Sequence, residues 1–144
     1  MDAKTMWEQY VAHNPTKEEY DAWAFGDDAD TLAGLVLEGT KTATASAYPL
    51  YELEGEELPQ EGQYSVILWQ DGSAACVIRT TKVYAAPFCE IPSEQAYREG
   101  EGDRSLAYWR AVHRTFFSKE MENVGLQFSE DMKVVCEEFI KVYP

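Results

Sequence analysis

Residues 32–46, LAGLVLEGTKTATAS, run from an apolar helix through a polar junction into a strand. The leucines and the valine recur at the spacing of one helical face and predict burial against a core. Gly39 suits the left-handed conformation that commonly ends a helix. The small and β-branched residues 42–45 that follow favour a strand. Lys41 falls between the two elements, so the sequence predicts a cation and threonine hydroxyls together at the edge of a core.

Two further helices are predicted before this segment. Residues 4–13 place apolar residues on one face and stop before Asn14-Pro15, a dipeptide that commonly ends a helix. Residues 16–25 begin with a capping-box pattern, Thr-Lys-Glu-Glu, and continue with aromatic residues at helical spacing. We therefore predict a helical extension over residues 1–25 and the main domain over residues 26–144.

Downstream, residue alternation and turn chemistry predict a sheet. Residues 63–70 and 74–81 are rich in β-branched and aromatic residues, and the Asp71-Gly72 between them is a strong hairpin turn signal. Residues 83–90 predict a third strand, with a proline that favours an edge or a bulge. Residues 134–143 alternate well enough to form a final strand.

The remaining segments predict one loop and two helices. Residues 48–60 contain two prolines and several glutamates and predict an acidic surface loop. The alternative is a ligand-gating loop in which Tyr48 or Tyr51 forms an aromatic wall of a pocket. A short helix is expected to begin near Pro92 and to end near Gly100, and Asp103 or Ser105 is expected to cap a longer helix. His113 falls on the apolar stripe of that longer helix, where a hydrogen-bonded core histidine is favoured over a catalytic base.

Composition limits the number of domains and the class of partner. A chain of 144 residues, 45% of them hydrophobic, is long enough for one well-filled core. It carries 26 acidic and 12 basic residues, for a formal charge of −14, and this excess disfavours tight binding to long nucleic acid. No membrane span or signal peptide is evident, and we expect a cytoplasmic protein.

The cysteines give no pattern of a metal centre or a disulfide framework. Cys76, Cys89 and Cys136 are an odd number without CxxC spacing, and each lies in an apolar stretch. We therefore expect reduced, buried thiols, and we expect neither a metal nor a cofactor.

Residues 99–103, EGEGD, alternate three acids with two glycines. Such a sequence favours neither a helix nor a strand, and it predicts a close turn that holds carboxylates in fixed directions. One interpretation is a binding or catalytic site. The other is a loop in which Asp103 caps the next helix and the glutamates remain in water. Calcium is disfavoured because no EF-hand spacing surrounds the loop.

Several of these motifs together resemble the ASCH family, small β-barrel domains similar to the PUA fold. The match begins with Gly-x-Lys-x-x-Thr at residues 39–44. It continues with FCEI at 88–91, EGEGD at 99–103, YWR at 108–110, and His113. The resemblance covers roughly residues 25–144. Ser46 stands where many family members have an arginine.

The resemblance implies a fold and a chemistry. The implied fold is α+β: a PUA-like, mostly antiparallel β-barrel of five or six strands with flanking helices and the helical N-terminal extension. In small ASCH members a lysine, the threonine three residues later and a glutamate form an amidohydrolase triad that acts on N4-acylated cytidines. By motif these are Lys41, Thr44 and Glu99, with Glu101 and Glu90 as rivals for the acid.

In this interpretation Thr44 is the nucleophile, Lys41 is its base, and Glu99 orients the lysine or serves the leaving group. We expect Tyr48, Ser46, Glu101 and Asp103 to contact a small-molecule nucleoside. Other ASCH members resemble ribonucleases or RNA-binding adaptors, so a binding module without catalysis and a ribonuclease are the alternatives.

Overall fold

Alternating apolar residues on both sides of Asp71-Gly72 form the central hairpin of a five-stranded sheet. The computed structural model describes residues 1–144. The strands are β1 (Tyr20–Trp23), β2 (Ala43–Ala47), β3 (Tyr64–Leu68), β4 (Ala74–Pro87) and β5 (Lys133–Tyr143). The helices are α1 (Ala3–His13), α2 (Ala29–Glu38), α3 (Tyr48–Glu54), α4 (Ser93–Glu99) and α5 (Leu106–Asn123), with a 3-10 turn at Phe88–Glu90.

The sheet is mostly antiparallel, as predicted, and it is open. Its strand order is β1-β3-β4-β5-β2, with β1 parallel to β3 and every other pair antiparallel. The two edge strands, β1 and β2, line the same cleft. The sheet is therefore curled like a barrel whose seam, between β1 and β2, is not closed by hydrogen bonds. The α+β fold class is confirmed.

The predicted third strand is the second half of β4. The chain continues through residues 83–87 without a turn, and the register against β5 shifts between Thr80 and Lys82. A bulge of this kind bends a strand while keeping it in one ladder. Pro87 ends the strand, and the 3-10 turn follows.

Two predictions of local structure were wrong. Residues 16–25 are extended and contain β1, because Tyr20 pairs with Tyr64 of β3 and its ring packs against Trp7 of α1 at 5.0 Å. Residues 48–54 form helix α3 where a loop was predicted. Proline is tolerated in the first turn of that helix, and Gly55 ends it with φ = 65°. Tertiary pairing and favourable helix ends outweigh the local sequence preferences.

The core lies on both faces of the sheet. Helix α1 packs on Val66 and Val77, whereas α2 packs on the other face against Ile67 and Ile78. Helix α5 covers the far end of the sheet through Phe117 and other buried residues. None of the helices combines the length and the apolar character needed to cross a membrane. This packing brings the end of α2, the start of β2, the end of α4 and the middle of α5 together.

Candidate functional site

Lys41 lies where helix α2 turns into strand β2. Gly39 ends the helix in the left-handed conformation, with φ = 83°, and the Lys41 N–H donates to the carbonyl of Leu35. The side chain is 1% exposed. Its Nζ lies 3.2 Å from Oε2 of Glu101, 3.6 Å from Oε1 of Glu99 and 3.5 Å from the Glu99 carbonyl oxygen. All of these neighbours are acceptors, so the three ammonium protons have partners.

Glu99 is buried at the end of α4 and has its full set of partners. Its Oε2 accepts hydrogen bonds from the indole N–H of Trp109 and from Nε2 of Gln95, the latter at 3.1 Å. Its Oε1 faces Lys41 and, at 3.4 Å, Nε2 of His113. Burial alone would raise the pKa of Glu99, but the Lys41 ammonium and the donors outweigh it, and the pKa is lowered to about 2.

After Lys41, His113 is the second titratable nitrogen-bearing side chain that faces Glu99 in this buried cluster. Its Nδ1 lies 2.9 Å from the carbonyl oxygen of Trp109, and its ring stacks on the Trp109 indole at 4.2 Å. Burial lowers the pKa of His113, but the hydrogen bond to Glu99 and the charge of Glu99 raise it more, so the net shift is upward. An imidazolium can donate to both neighbours at once, whereas a neutral imidazole can donate to only one.

The acids of the EGEGD loop point in different directions and have different partners. Gly100 has φ = 74°, and a Cβ there would lie 2.5 Å from the Thr40 carbonyl oxygen, so only glycine lets the loop pack against the residue before Lys41. Glu101 turns inward to Lys41. Asp103 turns outward and accepts a hydrogen bond from the Ser105 N–H at 2.9 Å, just before α5.

Thr44 lies on β2 at the junction of two cavities. The smaller, of about 60 Å³, is also lined by Lys41, Glu99 and His113. The larger is an open cleft of about 1110 Å³ between the two edge strands. The Thr44 carbonyl accepts a hydrogen bond from Gln95 at 3.2 Å, which ties the strand to α4. The Thr44 hydroxyl makes no hydrogen bond to Lys41, although both side chains border the small cavity.

The cleft is strongly acidic. Nine carboxylates line it, from β1, α3, α5, β5 and the loops between them, and Arg79 is its one cationic side chain. Phe25 and Phe116 border both cavities, so the small one is the deep end of the large one. An anionic ligand would enter this cleft against a negative field, whereas a neutral or cationic ligand would not.

The predicted binding residues lie in different places. Ser46 lines the cleft, where its hydroxyl is 2.8 Å from the hydroxyl of Tyr51. Tyr48 and Asp103 line neither cavity: Lys133 lies over the Tyr48 ring at 5.3 Å, and Asp103 is exposed at the start of α5. Tyr51 is therefore the tyrosine of α3 that borders the cleft.

The expectation of three buried thiols is wrong for one of them. Cys76 and Cys136 are buried, whereas Cys89 is exposed. Burial raises the pKa of Cys76 to about 11 and that of Cys136 to about 12. Neither buried thiol is therefore a thiolate at neutral pH.

Carboxylates and the imidazole of the buried cluster also have the spacing of metal ligands. Ligand atoms of Glu99, Glu101 and His113 lie within 4.8 Å of one another. The Lys41 ammonium is in contact with both carboxylates and already supplies a compensating positive charge. Charge balance in this cluster therefore does not depend on a metal ion.

Three residues of the site were not found from sequence. Gln95 and Trp109 hold Glu99. Trp109 lies in the YWR motif but was given no role from sequence, and no local pattern distinguishes Gln95 from an ordinary helix residue. Glu137 lines the cleft from β5, opposite Thr44. The sequence does contain a signal for Glu137. It lies on the same strand face as the apolar Val135 and Phe139, where the alternation predicts an apolar residue.

A family model described as the ASCH domain matches residues 21–143. The chain is 36% identical to the ASCH domain from Lactobacillus crispatus JV V101, over 98% of this chain and 94% of that one, with a TM-score of 0.91. It is also 36% identical to a protein from Enterococcus faecalis V583, over 97% of this chain and 87% of that one, with a TM-score of 0.89.

A hypothetical protein of 14% identity, with a TM-score of 0.59 over 86% of this chain and 100% of that one, shares the fold alone. No curated protein gave a significant match. The motif-based identification is confirmed: the chain belongs to the ASCH domain family.

Proposed function

We propose that this protein is a small-molecule amidohydrolase that acts on N4-acylated, cytidine-type nucleosides. The observation that carries the proposal is the position of Thr44. Thr44 lines both the open cleft and the small cavity that Lys41 and Glu99 also line. A substrate in the cleft would present its acyl carbonyl to a hydroxyl that lies beside a buried cation.

The contacts of Lys41 favour an electrostatic role for it. Its Nζ contacts only acceptors from Glu99 and Glu101 and makes no hydrogen bond to Thr44. A fixed ammonium beside the reacting carbonyl stabilises the negative charge that develops on the carbonyl oxygen in the tetrahedral transition state. Glu99 then acts as the residue that orients the lysine, which is one of the two roles expected for it.

The charge of the cleft supports a nucleoside substrate over RNA. A polyanion binds through clustered basic residues, and the cleft has nine carboxylates against one guanidinium. A neutral nucleoside avoids this repulsion, and the apolar and aromatic residues Phe25, Leu50 and Tyr51 offer surface to a base and an acyl group.

The first experiment follows the hydrolysis of N4-acetylcytidine by chromatography, with cytidine and acetate as products. We expect the wild-type protein to form both and Thr44→Ala to lose at least about 10²-fold in rate, because a nucleophile cannot be replaced by its neighbours. Thr81→Ala is the matched control, since it removes an exposed strand hydroxyl outside both cavities. Full activity of folded Thr44→Ala would end the proposal.

A second experiment addresses the alternative of an RNA-binding module. We expect random RNA at about 150 mM salt, where exposed charges are largely screened, to bind more weakly than micromolar. Submicromolar binding, together with no hydrolysis of N4-acetylcytidine, would favour the binding module.

We also propose a cytoplasmic location, which the three free thiols support because thiols stay reduced there.

A further inference from the structure

We propose that Glu137 is the proton-transfer residue of this site: its carboxylate accepts the proton of Thr44 and returns it to the departing amine. This inference rests on the proposed amidohydrolase function and deepens it. Neither the motif resemblance nor the sequence pattern assigned a role to Glu137. The assignment comes from the register of two strands, the cleft between them and the contacts that occupy Lys41.

The register places Glu137 beside the nucleophile. Strands β2 and β5 are antiparallel, and Thr44 pairs directly with Glu137. Directly opposed residues have their side chains on the same face of the sheet, with Cβ atoms about 4.5–5.5 Å apart. Both side chains line the cleft. A carboxylate at this separation reaches the hydroxyl of its neighbour through a side-chain rotation or one water molecule.

The partners of Lys41 leave the task of base to another group. Its Nζ is held by Glu99 and Glu101 and makes no hydrogen bond to Thr44. Glu99 is equally occupied, by the Lys41 ammonium, the His113 ring and the donors of Gln95 and Trp109. Glu137 takes part in no ion pair, and its one side-chain hydrogen bond comes from Thr80 Oγ1 at 3.4 Å. It is the available base next to the hydroxyl.

The surroundings of Glu137 suit a group that both takes and gives a proton near neutrality. Burial raises its pKa to about 7, and the Thr80 hydrogen bond opposes that shift only in part. The cleft also holds Tyr51 and Glu54 of α3, Glu120 of α5 and Arg79 of β4, and Cys136 precedes Glu137 on β5. The other titratable groups of the cleft are Tyr20 and Asp21 of β1, Tyr64 of β3 and the loop acids Glu18, Glu19, Glu56, Glu57 and Glu61. The general acid–base residue of an enzyme works best when its pKa lies near the working pH.

The reaction balances without any further reagent. The Thr44 oxygen attacks the acyl carbon while Glu137 takes the hydroxyl proton. The tetrahedral intermediate collapses, the C–N4 bond breaks, and Glu137 gives that proton to N4, which leaves as the amine of cytidine. Water then attacks the Thr44 ester and gives one proton to Glu137. The ester C–O bond breaks, the proton returns to the Thr44 oxygen, and the carboxylic acid departs.

The test measures kcat/KM for N4-acetylcytidine against pH in wild type, Glu137→Gln and Glu137→Asp. We expect the wild-type rate to rise with pH through a midpoint near 7. Glu137→Gln should lose about 10²-fold or more and lack that rise, and Glu137→Asp should recover part of the rate with the rise restored. Glu138→Gln is the matched control: it changes the next residue of β5, which pairs with Lys82 and Arg98 outside the cleft.

A second measurement does not depend on activity. In protein with carbon-13-labelled glutamate, NMR should show a carboxyl that titrates near pH 7 in wild type and in Glu138→Gln, and that signal should be absent from Glu137→Gln. If Glu137 instead titrates at the ordinary value of about 4.3, the proposal is overturned, even where the variant is too unstable for kinetics.

The two proposals fail in different ways. If wild type hydrolyses N4-acetylcytidine and Thr44→Ala does not, but Glu137→Gln keeps the wild-type rate and pH profile, only the role of Glu137 is lost. If the wild-type protein does not hydrolyse the substrate, or Thr44→Ala is fully active, the proposed function falls and the role of Glu137 falls with it.

Discussion

The buried cluster around Lys41 and the open cleft beside it differ in charge balance. In the cluster, the carboxylates of Glu99 and Glu101 face the Lys41 ammonium and the His113 imidazole at 3.2–3.6 Å. In the cleft, nine carboxylates face a single guanidinium. The two regions touch at Thr44. One site therefore combines a rigid end, in which positive and negative charges balance, with a solvated end that has an excess of negative charge.

The difference follows from burial. Charges removed from water cost several kcal/mol each unless a partner and hydrogen bonds compensate them, so every charge of the cluster has partners. Exposed carboxylates remain hydrated and need none. The cluster therefore determines geometry and stability, whereas the cleft determines which ligands approach. The predictions that follow separate these two roles.

Lys41→Met should have the largest effect on stability. It leaves Glu99 buried without its main cation, and removing one partner of a buried ion pair costs about 3–5 kcal/mol. Chemical denaturation followed by tryptophan fluorescence measures the loss. Lys4→Met is the control, because Lys4 forms an exposed pair with Glu8 on α1 and should show no clear change. Equal stability of the two variants would mean that the cluster is not a balanced unit.

Acid should weaken the folded state through Glu99. The folded pKa of about 2 lies below the ordinary value of 4.5, so this stabilisation is complete above about pH 5 and is lost as pH falls through 2. The shift corresponds to about 3 kcal/mol. Between pH 5 and pH 2 the free energy of unfolding should therefore drop by about that much more in wild type than in Glu99→Gln, as measured by urea titrations at each pH.

The contribution of His113 to the free energy of unfolding should change with pH in the opposite direction to that of Glu99. Its folded pKa is raised, so the stabilisation is complete below the ordinary value of 6.5 and is lost as pH rises through the folded value. The same titrations above pH 6 should show a decline that is smaller in His113→Gln than in wild type; part of the decline remains because Glu137, with its pKa raised to about 7, also loses stabilisation in this range. If His113→Gln keeps the whole wild-type decline in the free energy of unfolding, a group other than His113 causes that decline.

Gly100→Ala should show how closely the EGEGD loop fits against the start of β2. A left-handed alanine costs about 1–2 kcal/mol at any position, which Gly55→Ala measures alone, since φ there is 65° and nothing lies within 4 Å of the added carbon. At Gly100 the added carbon meets the Thr40 backbone at 2.5 Å. We expect about 1–3 kcal/mol beyond the Gly55→Ala cost, because overpacking moves backbone.

Substitutions of exposed acids in the cleft should have the smallest effect on stability. Replacing Glu56 and Glu57 together by glutamine should change the free energy of unfolding by less than about 0.5 kcal/mol, because both are exposed. It should, however, lower KM for the 5′-monophosphate of N4-acetylcytidine a few-fold relative to the nucleoside, and salt should reduce the difference. Glu52→Gln with Glu122→Gln, exposed acids outside the cleft, should leave that ratio unchanged.

Much of the fold could be read from local signals. The end of α2 at Gly39, the hairpin at Asp71-Gly72, the cap of α5 at Ser105 and the final strand all lie where the sequence predicted them. Each depends on backbone conformations and caps that a few adjacent residues dictate. The family was likewise recognisable, because its motifs are short and contiguous.

The elements that sequence reasoning missed depend on distant partners. Strand β1 exists because β3 pairs with it, although its own residues read as a helix. The surroundings of Lys41 come from α4 and α5, which begin about 50 or more residues downstream, so its charge balance has no local signal. The opposition of Thr44 and Glu137 comes from strand register alone.

The sequence by itself therefore determined the fold class and the family, and it predicted Lys41, Thr44 and Glu99 as one set of site residues. Only the tertiary structure decided which acids face the lysine, which one faces the threonine, and that the cleft between the edge strands is acidic. The physical reason is range: caps and turns are set by neighbouring residues, whereas burial, ion pairing and pKa depend on segments that folding brings together from across the chain.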